Sequence, residues 1–295
     1  MNSEHNALYW NPSDDGSVRC GLCPHRCHIA KNTAGVCGVR ENREGALTIP
    51  YYGRVSSVAL DPIEKKPLHM FHPGAYILSV GGFGCNLRCK FCQNYEISLE
   101  YAKDSSNERQ DGYAGRCLSP EDIIEFAVRT KPQGNIGVAY TYNEPLIGYE
   151  FVCDSAKLAR AAGLCNVLVT NGYISKEPLE QLLPLVDAMN IDLKGFSDGF
   201  YKKVGGALAA VMETIALSHK SCHVEVTTLV IPGENEDDIE GIAKWLASID
   251  PDIPLHLSRF FPRYKYSDKT PTPRDTIIRL RDTAKKYLRN VFAAY

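Results

Sequence analysis

The segment that decides the fold is Ala75-Tyr76-Ile77-Leu78-Ser79-Val80-Gly81-Gly82, continued after Phe83 by Gly84-Cys85-Asn86-Leu87-Arg88-Cys89-Lys90-Phe91-Cys92-Gln93-Asn94. The first part is an apolar run of strand length that ends in glycines, the pattern of a strand buried on both faces. The second part sets three cysteines at C-x3-C-x2-C on the loop leaving that strand. Parallel α/β proteins keep their reactive groups at the C-terminal ends of strands. The segment therefore predicts a parallel sheet with chemistry at one end of it.

Working outward, the strand-then-helix rhythm repeats to the end of the chain. Strands are expected at 135–142, 166–172, 188–195, 223–233 and 254–262, with helices at 145–163, 177–186, 207–220, 236–249 and 273–290. A further helix starts at Ser119-Pro120-Glu121-Asp122, a serine cap, a proline at the first helical position and an acid at the third. The polar stretch 98–116 reads as a loop. Six strand–helix units are too few for a closed eightfold barrel, so an open, partial (β/α)6 TIM-like barrel is expected, with a doubly wound sheet as the alternative. Upstream, residues 1–74 are Gly- and Pro-punctuated and read as a small irregular cysteine-rich module with a connector; residues 75–295 form the barrel.

Composition narrows the class. With 33 basic and 35 acidic residues there is no surplus of cations to displace counterions, so binding to a nucleic-acid backbone is not expected. The opening MNSEHNALYWNPSDDG has neither a charged n-region nor an apolar h-region, and no apolar run is long enough to span a bilayer. A cytoplasmic protein is expected. Of eleven cysteines, seven fall in two tight groups, which in a cytosolic chain points to metal ligation rather than disulfides. Cys117, Cys153, Cys165 and Cys222 are scattered and read as small apolar residues.

Three thiolates, Cys85, Cys89 and Cys92, hold three corners of a 4Fe–4S cubane and leave the fourth iron open. S-adenosylmethionine (SAM) can chelate such an iron, and an electron from the cluster then yields a 5′-deoxyadenosyl radical. A zinc site would want a fourth thiolate or histidine nearby, and none follows closely. The earlier group, Cys20, Cys23, Cys27 and Cys37, supplies four thiolates within eighteen residues, with Gly21, Pro24, Gly35 and Gly38 for tight turns. Four sulfurs suit a structural zinc or a second, fully ligated iron–sulfur cluster, and spacing does not separate the two. His25 and His28 lie nearby but are not needed as ligands.

The cluster loop, with its aromatic Phe91, resembles that of the glycyl-radical-enzyme activases, such as pyruvate formate-lyase activating enzyme. The resemblance implies a radical SAM oxidoreductase of the radical SAM barrel type. Tyr142, Asn143 and Glu144, in the segment Thr141–Pro145, match the activase segment that hydrogen-bonds the SAM amino group. Thr170 and Asn171 match their Thr-Asn-Gly segment near SAM. Asp192 and Lys194 match their Asp-Leu-Lys, with the lysine suited to the SAM carboxylate. Ile231 lies in the turn beside the adenosine. An electron donor such as flavodoxin or ferredoxin is implied, as is a protein or peptide glycine as substrate, with a small molecule close behind. Val169 stands where activases carry an aspartate of a monovalent-cation site, so the resemblance does not extend to that site. With the stretch 51–74, YTYNEP and SRFFPRYK, the chain also resembles the AmmeMemoRadiSam system radical SAM family. Members of that family often continue into a tail with another cysteine pair; here the sequence ends at Tyr295 and no role for such a tail is expected.

Each of these residues has a plainer reading. Asn143 forms turns, Glu144 suits a helix start, Asn171-Gly172 is a common turn pair, and Asp192 and Lys194 pair on surfaces. Asp61, Glu64, Lys65, Lys66, His69 and His72 in the connector read as solvated. His256, Arg259 and Arg263, on or after the last strand, are candidates to meet substrate or SAM. The competing class is a non-catalytic iron–sulfur or zinc protein that carries electrons or scaffolds a partner, which needs neither Glu144 nor Lys194 at a strand end.

Overall fold

The computed structural model describes residues 5–101 and 116–293. Its centre is an eight-stranded sheet: β1 (Ser57–Pro62), β2 (Tyr76–Gly81), β3 (Asn135–Thr141), β4 (Cys165–Thr170), β5 (Ala188–Asp192), β6 (His223–Val230), β7 (Leu255–Arg259) and β8 (Val291–Ala293). The strands lie side by side in chain order, β1 through β8. All neighbours are parallel except β1 and β2. An order that never reverses has no switch point, so the doubly wound alternative is excluded and the helices wind in one sense, as in a barrel. Among the described residues β1 and β8 do not pair, and the sheet stays open.

Between the strands run α1 (Pro120–Arg129), α2 (Tyr149–Ala161), α3 (Lys176–Leu182), α4 (Asp198–Val204), α5 (Leu208–Ser218), α6 (Ile239–Ile249) and α7 (Arg274–Ala284). Helix α1 begins with the expected reciprocal cap: Ser119 Oγ accepts from Asp122 N and the Asp122 carboxylate accepts from Ser119 N. Four expectations need correction. The stretch 145–163 opens with a 3₁₀ turn at Pro145–Gly148, because Glu144 turns its carboxylate onto Leu146 N. Helix α4 was not expected; it is seven residues long and holds on through buried Phe200, Tyr201 and Val204. The last helix stops at Ala284 rather than 290, freeing Asn290 O to accept from Leu255 N and guide β8 into the sheet. The connector is not irregular throughout: β1 supplies an antiparallel edge, its register running from Ser57 opposite Gly81 to Pro62 opposite Tyr76. Within the polar stretch 98–116, residues 102–115 lie outside the described residues.

The small N-terminal module is made of short antiparallel pieces, Trp10–Pro12, Val18–Cys20 and His28–Ile29, with a hairpin of Glu41–Arg43 and Ala46–Thr48. At the N-terminal end of the barrel, Ile63 and Leu68 pack with Ile77, Ala139, Val167 and Ala188, one from each of β2 to β5, and plug that end. Strand alternation carries the same face upward from these residues to Ser79 and Gly81, Thr141, Val169 and Asp192, which leaves the C-terminal end for the site. No helix among the described residues is long and apolar enough to cross a membrane.

Candidate active site

The cysteine loop leaves β2 through Gly84, whose φ of +84° and surroundings both demand glycine: a Cβ there would lie 2.7 Å from Cys37 O and 2.7 Å from Val39 Cγ1. Cys85, Cys89 and Cys92 line one wall of a cavity of about 390 Å³ at the C-terminal ends of the strands. Burial pushes the Cys89 thiol up to about 11 and the Cys85 thiol higher still, so ligation there must displace protons.

The other walls come from the strand ends the sequence singled out. Tyr142, Asn143, Glu144, Thr170, Asn171, Asp192 and Lys194 all line the same cavity. Glu144 is buried and accepts from Leu146 N (3.0 Å), Thr170 Oγ1 (2.7 Å) and Asn171 N (2.7 Å). Burial outweighs these donors and pushes its carboxyl up to about 7. Lys194 Nζ lies 2.8 Å from Asp192 Oδ2. Burial works against its charge, but the Asp192 carboxylate and the nearby Cys89 sulfur hold its pKa above the ordinary lysine value.

Three members of this set also bond elsewhere. Asn143 ties β3 to the cysteine loop, its Oδ1 accepting from Gly82 N and its Nδ2 donating to Phe83 O and Gly84 O. Tyr142, at φ +72°, donates its hydroxyl to Asp61 Oδ2 (2.7 Å). Asn171 Nδ2 donates to Asn86 Oδ1 (2.9 Å) and lies 3.6 Å from Cys85 Sγ. Ile231 is fully buried with its N–H on Asn235 Oδ1, and it is not among the residues lining the cavity.

Other expectations divide. Arg259 lines the cavity, whereas Arg263 is exposed with its guanidinium over the Tyr95 ring. His256 does not line the cavity: it sits low in the barrel, its Nε2 2.5 Å from Glu225 Oε2 and its ring edge-to-face with the His69 ring. The connector charges are not simply solvated. Lys66 is 3% exposed, and it and Lys65 also line the cavity. Asn86, between two of the cysteines, was missed; its place inside the motif was the available signal.

Cys23 senses Cys20, Cys27 and Cys37 as neighbours, and burial first, then these sulfurs, push its thiol up to about 12. Among the described residues, neither cysteine group brings three ligands together closely enough to hold a single metal ion. The module nonetheless grips the cysteine loop: His25 Nε2 donates to Asn86 O (2.7 Å), the Arg88 guanidinium bonds Val36 O, and Ser175 N donates to Leu22 O (3.0 Å).

Residues 79–246 match the family model of the radical SAM superfamily. A relative of unassigned function from Methanocaldococcus jannaschii is 44% identical over 94% of this chain and 81% of its own length. The pyruvate formate-lyase 1-activating enzyme of Escherichia coli K12 is 26% identical over 52% of this chain and 61% of that protein. Among solved structures, SuiB of Streptococcus suis superimposes with a TM-score of 0.55 at 13% identity, covering 74% of this chain and 50% of that one, and supports the fold alone. The chain belongs to the radical SAM superfamily, and membership implies a 4Fe–4S cluster and SAM. The donor set fits: three thiols on one loop share a cavity with a buried carboxylate and a lysine–aspartate pair, and among the described residues lining that cavity there is no fourth cysteine and no histidine.

Proposed function

We propose that this protein reductively cleaves SAM and abstracts a hydrogen atom from a substrate, and that Cys85, Cys89 and Cys92 hold the 4Fe–4S cluster. When bound, the cluster supplies the electron that breaks the S–C5′ bond of SAM. The chain's own residues do the rest. Glu144, fixed by three donors, offers its remaining acceptor capacity to the SAM amino group. Lys194, oriented by Asp192, takes the SAM carboxylate. Asn143 and Asn171 hold the loop that carries the cysteines at a set distance from the strand ends. The deep walls keep bulk water from the reacting atoms.

The observation that carries this reading is one cavity shared by the three cysteines, Glu144 and the Asp192–Lys194 pair. An electron carrier or scaffold needs a cluster but not that cavity. Similarity to activating enzymes of pyruvate formate-lyase and of glycyl-radical enzymes supports a protein or peptide glycine as substrate, with a small molecule as the alternative, and a flavodoxin or ferredoxin would deliver the electron. Cys20, Cys23, Cys27 and Cys37 would hold zinc or a second iron–sulfur cluster, which metal analysis of the purified protein distinguishes. The test of the main reaction is anaerobic: reconstitute with iron and sulfide, reduce, add SAM and quantify 5′-deoxyadenosine, with Cys89→Ala as control. Product that the control lacks supports the proposal; an intact, reduced cluster that yields none with either dithionite or a reduced flavodoxin overturns it.

A further inference from the structure

The cations of the cavity fall into two sets. Lys194 is tied to Asp192 and belongs to the positions assigned above to SAM. Lys65, Lys66 and Arg259 belong to none of those positions, yet line the same cavity. The Lys66 ammonium is buried, with one carboxylate oxygen, Asp61 Oδ2, at 2.8 Å, and the Tyr142 ring face 4.6 Å away. Three N–H groups on a buried ammonium want three acceptors, and a ring face is a weak one. Lys65 reaches the other Asp61 oxygen at 3.3 Å. Arg259 is held at one atom and over one ring: its Nε donates to Thr272 O (2.7 Å), the fully buried Thr272 is itself held by its hydroxyl on Val230 O (2.6 Å), and the guanidinium carbon lies 5.0 Å from the centre of the Phe261 ring. Its two Nη groups make no hydrogen bond or ion pair with the described residues. A guanidinium fixed at Nε presents its Nη pair as a preset fork.

Asp61 cancels one of these three cations, which leaves a surplus of two positive charges on this part of the lining. The carboxylates that line the cavity are assigned elsewhere: Glu144 faces the SAM amino group in the reading above, and Asp192 is paired with Lys194. Lys65 is exposed and adds charge at the rim, whereas buried Lys66 and the anchored Arg259 keep unfilled charged donors in a concave site, an arrangement for an anion.

We propose that Lys66, Lys65 and Arg259 form an anion-recognition subsite, so that the substrate carries a carboxylate or a phosphate group. This deepens the proposed function and rests on its assignment of Glu144, Asp192 and Lys194 to SAM. Arg259 reads the anion's paired oxygens, and Lys66, positioned by Asp61 and Tyr142, meets it from β1's side of the barrel. The interior glycine of a protein chain has no such group, so the inference favours a small anionic molecule or a terminal carboxylate over it.

The test titrates the reconstituted full-length protein by calorimetry with inorganic phosphate and, separately, with acetate, in the presence and absence of SAM. Wild-type protein should bind one of the two, phosphate binding pointing to a phosphorylated substrate and acetate binding to a carboxylate. Arg259→Gln should weaken that binding about tenfold or more, with Arg259→Lys recovering part of it, while SAM affinity stays within about twofold. Lys66→Gln, paired with Asp61→Asn to avoid stranding a carboxylate, should weaken the anion to a similar degree. Binding of neither anion, or binding that both variants leave unchanged, overturns the subsite. Loss of SAM affinity in Arg259→Gln equal to the loss for the anion also overturns it, because the guanidinium then serves SAM. Failure to form 5′-deoxyadenosine would instead remove the reaction while the titrations still read the subsite.

Discussion

Glu144 gives a prediction with a sign. Burial lifts its carboxyl to about 7 in the folded protein, against an ordinary 4.5. The folded state therefore holds a proton that the unfolded state has released between those two values. The stabilisation is present below about pH 4.5 and is lost as pH rises through 7. The difference corresponds to ~3 kcal/mol, the cost of keeping a buried carboxylate charged. Glu144→Gln has no charge to bury, but its amide turns N–H donors toward the Asn171 N–H, at ~1–2 kcal/mol. The variant should be the less stable protein near pH 5 and equal or superior at pH 8.5. Urea unfolding of the reconstituted, SAM-free protein across that range reads the difference directly. SAM should then couple to the same proton: wild-type affinity strengthens as pH passes 7, whereas the variant binds about tenfold more weakly and without that dependence. Stability curves that run parallel for the two proteins from pH 5 to 8.5 would refute the assignment.

Three further outcomes follow from packing. Arg40 and Glu150 are both buried and meet at 3.0 and 3.1 Å, joining the N-terminal module to α2; Arg40→Met leaves the carboxylate unpaired and should cost ~3–5 kcal/mol in urea unfolding, part of it restored by adding Glu150→Gln. Gly84→Ala must place a Cβ 2.7 Å from Cys37 O at a φ of +84°, so ~2–5 kcal/mol and a fall in iron bound per chain after reconstitution are expected. Ser119→Ala removes one half of the α1 capping box and should lower stability by ~1 kcal/mol with no change in iron content.

The barrel was legible because its signals are local. Each of the six strand–helix units carries its own change of period, and the cysteine loop sits on one of them. What escaped depends on distant partners. Strand β1 is half-buried along its whole length and ends in Pro62, so it shows neither clean alternation nor a continuous apolar run. Lys66 read as a solvated charge because the groups that bury it, Asp61 and Tyr142, are joined across 81 residues of sequence. His256 was placed on the correct strand and shares its face with Ser258, but only the fold sets depth. Two residues along a strand move a side chain about 7 Å, enough to take it from the cavity to the Glu225 network below.

The N-terminal module also looks different once its contacts are known. A loop that carries three thiols without regular structure leaves backbone carbonyls needing partners, and each one left bare in a buried setting is costly. In this chain they are met from both sides. His25 takes Asn86 O from the module, Asn143 takes Phe83 O and Gly84 O from the barrel, and Arg88, itself anchored on Val36 O, takes Cys85 O. Asn86 then passes the constraint to Asn171, which lies against Cys85 Sγ. His25 stands between Cys23 and Cys27 in sequence, so the turn that carries those two cysteines also carries the imidazole that meets the loop at Asn86 O. The module is thereby part of the framework that sets the cysteines opposite Glu144 and Lys194.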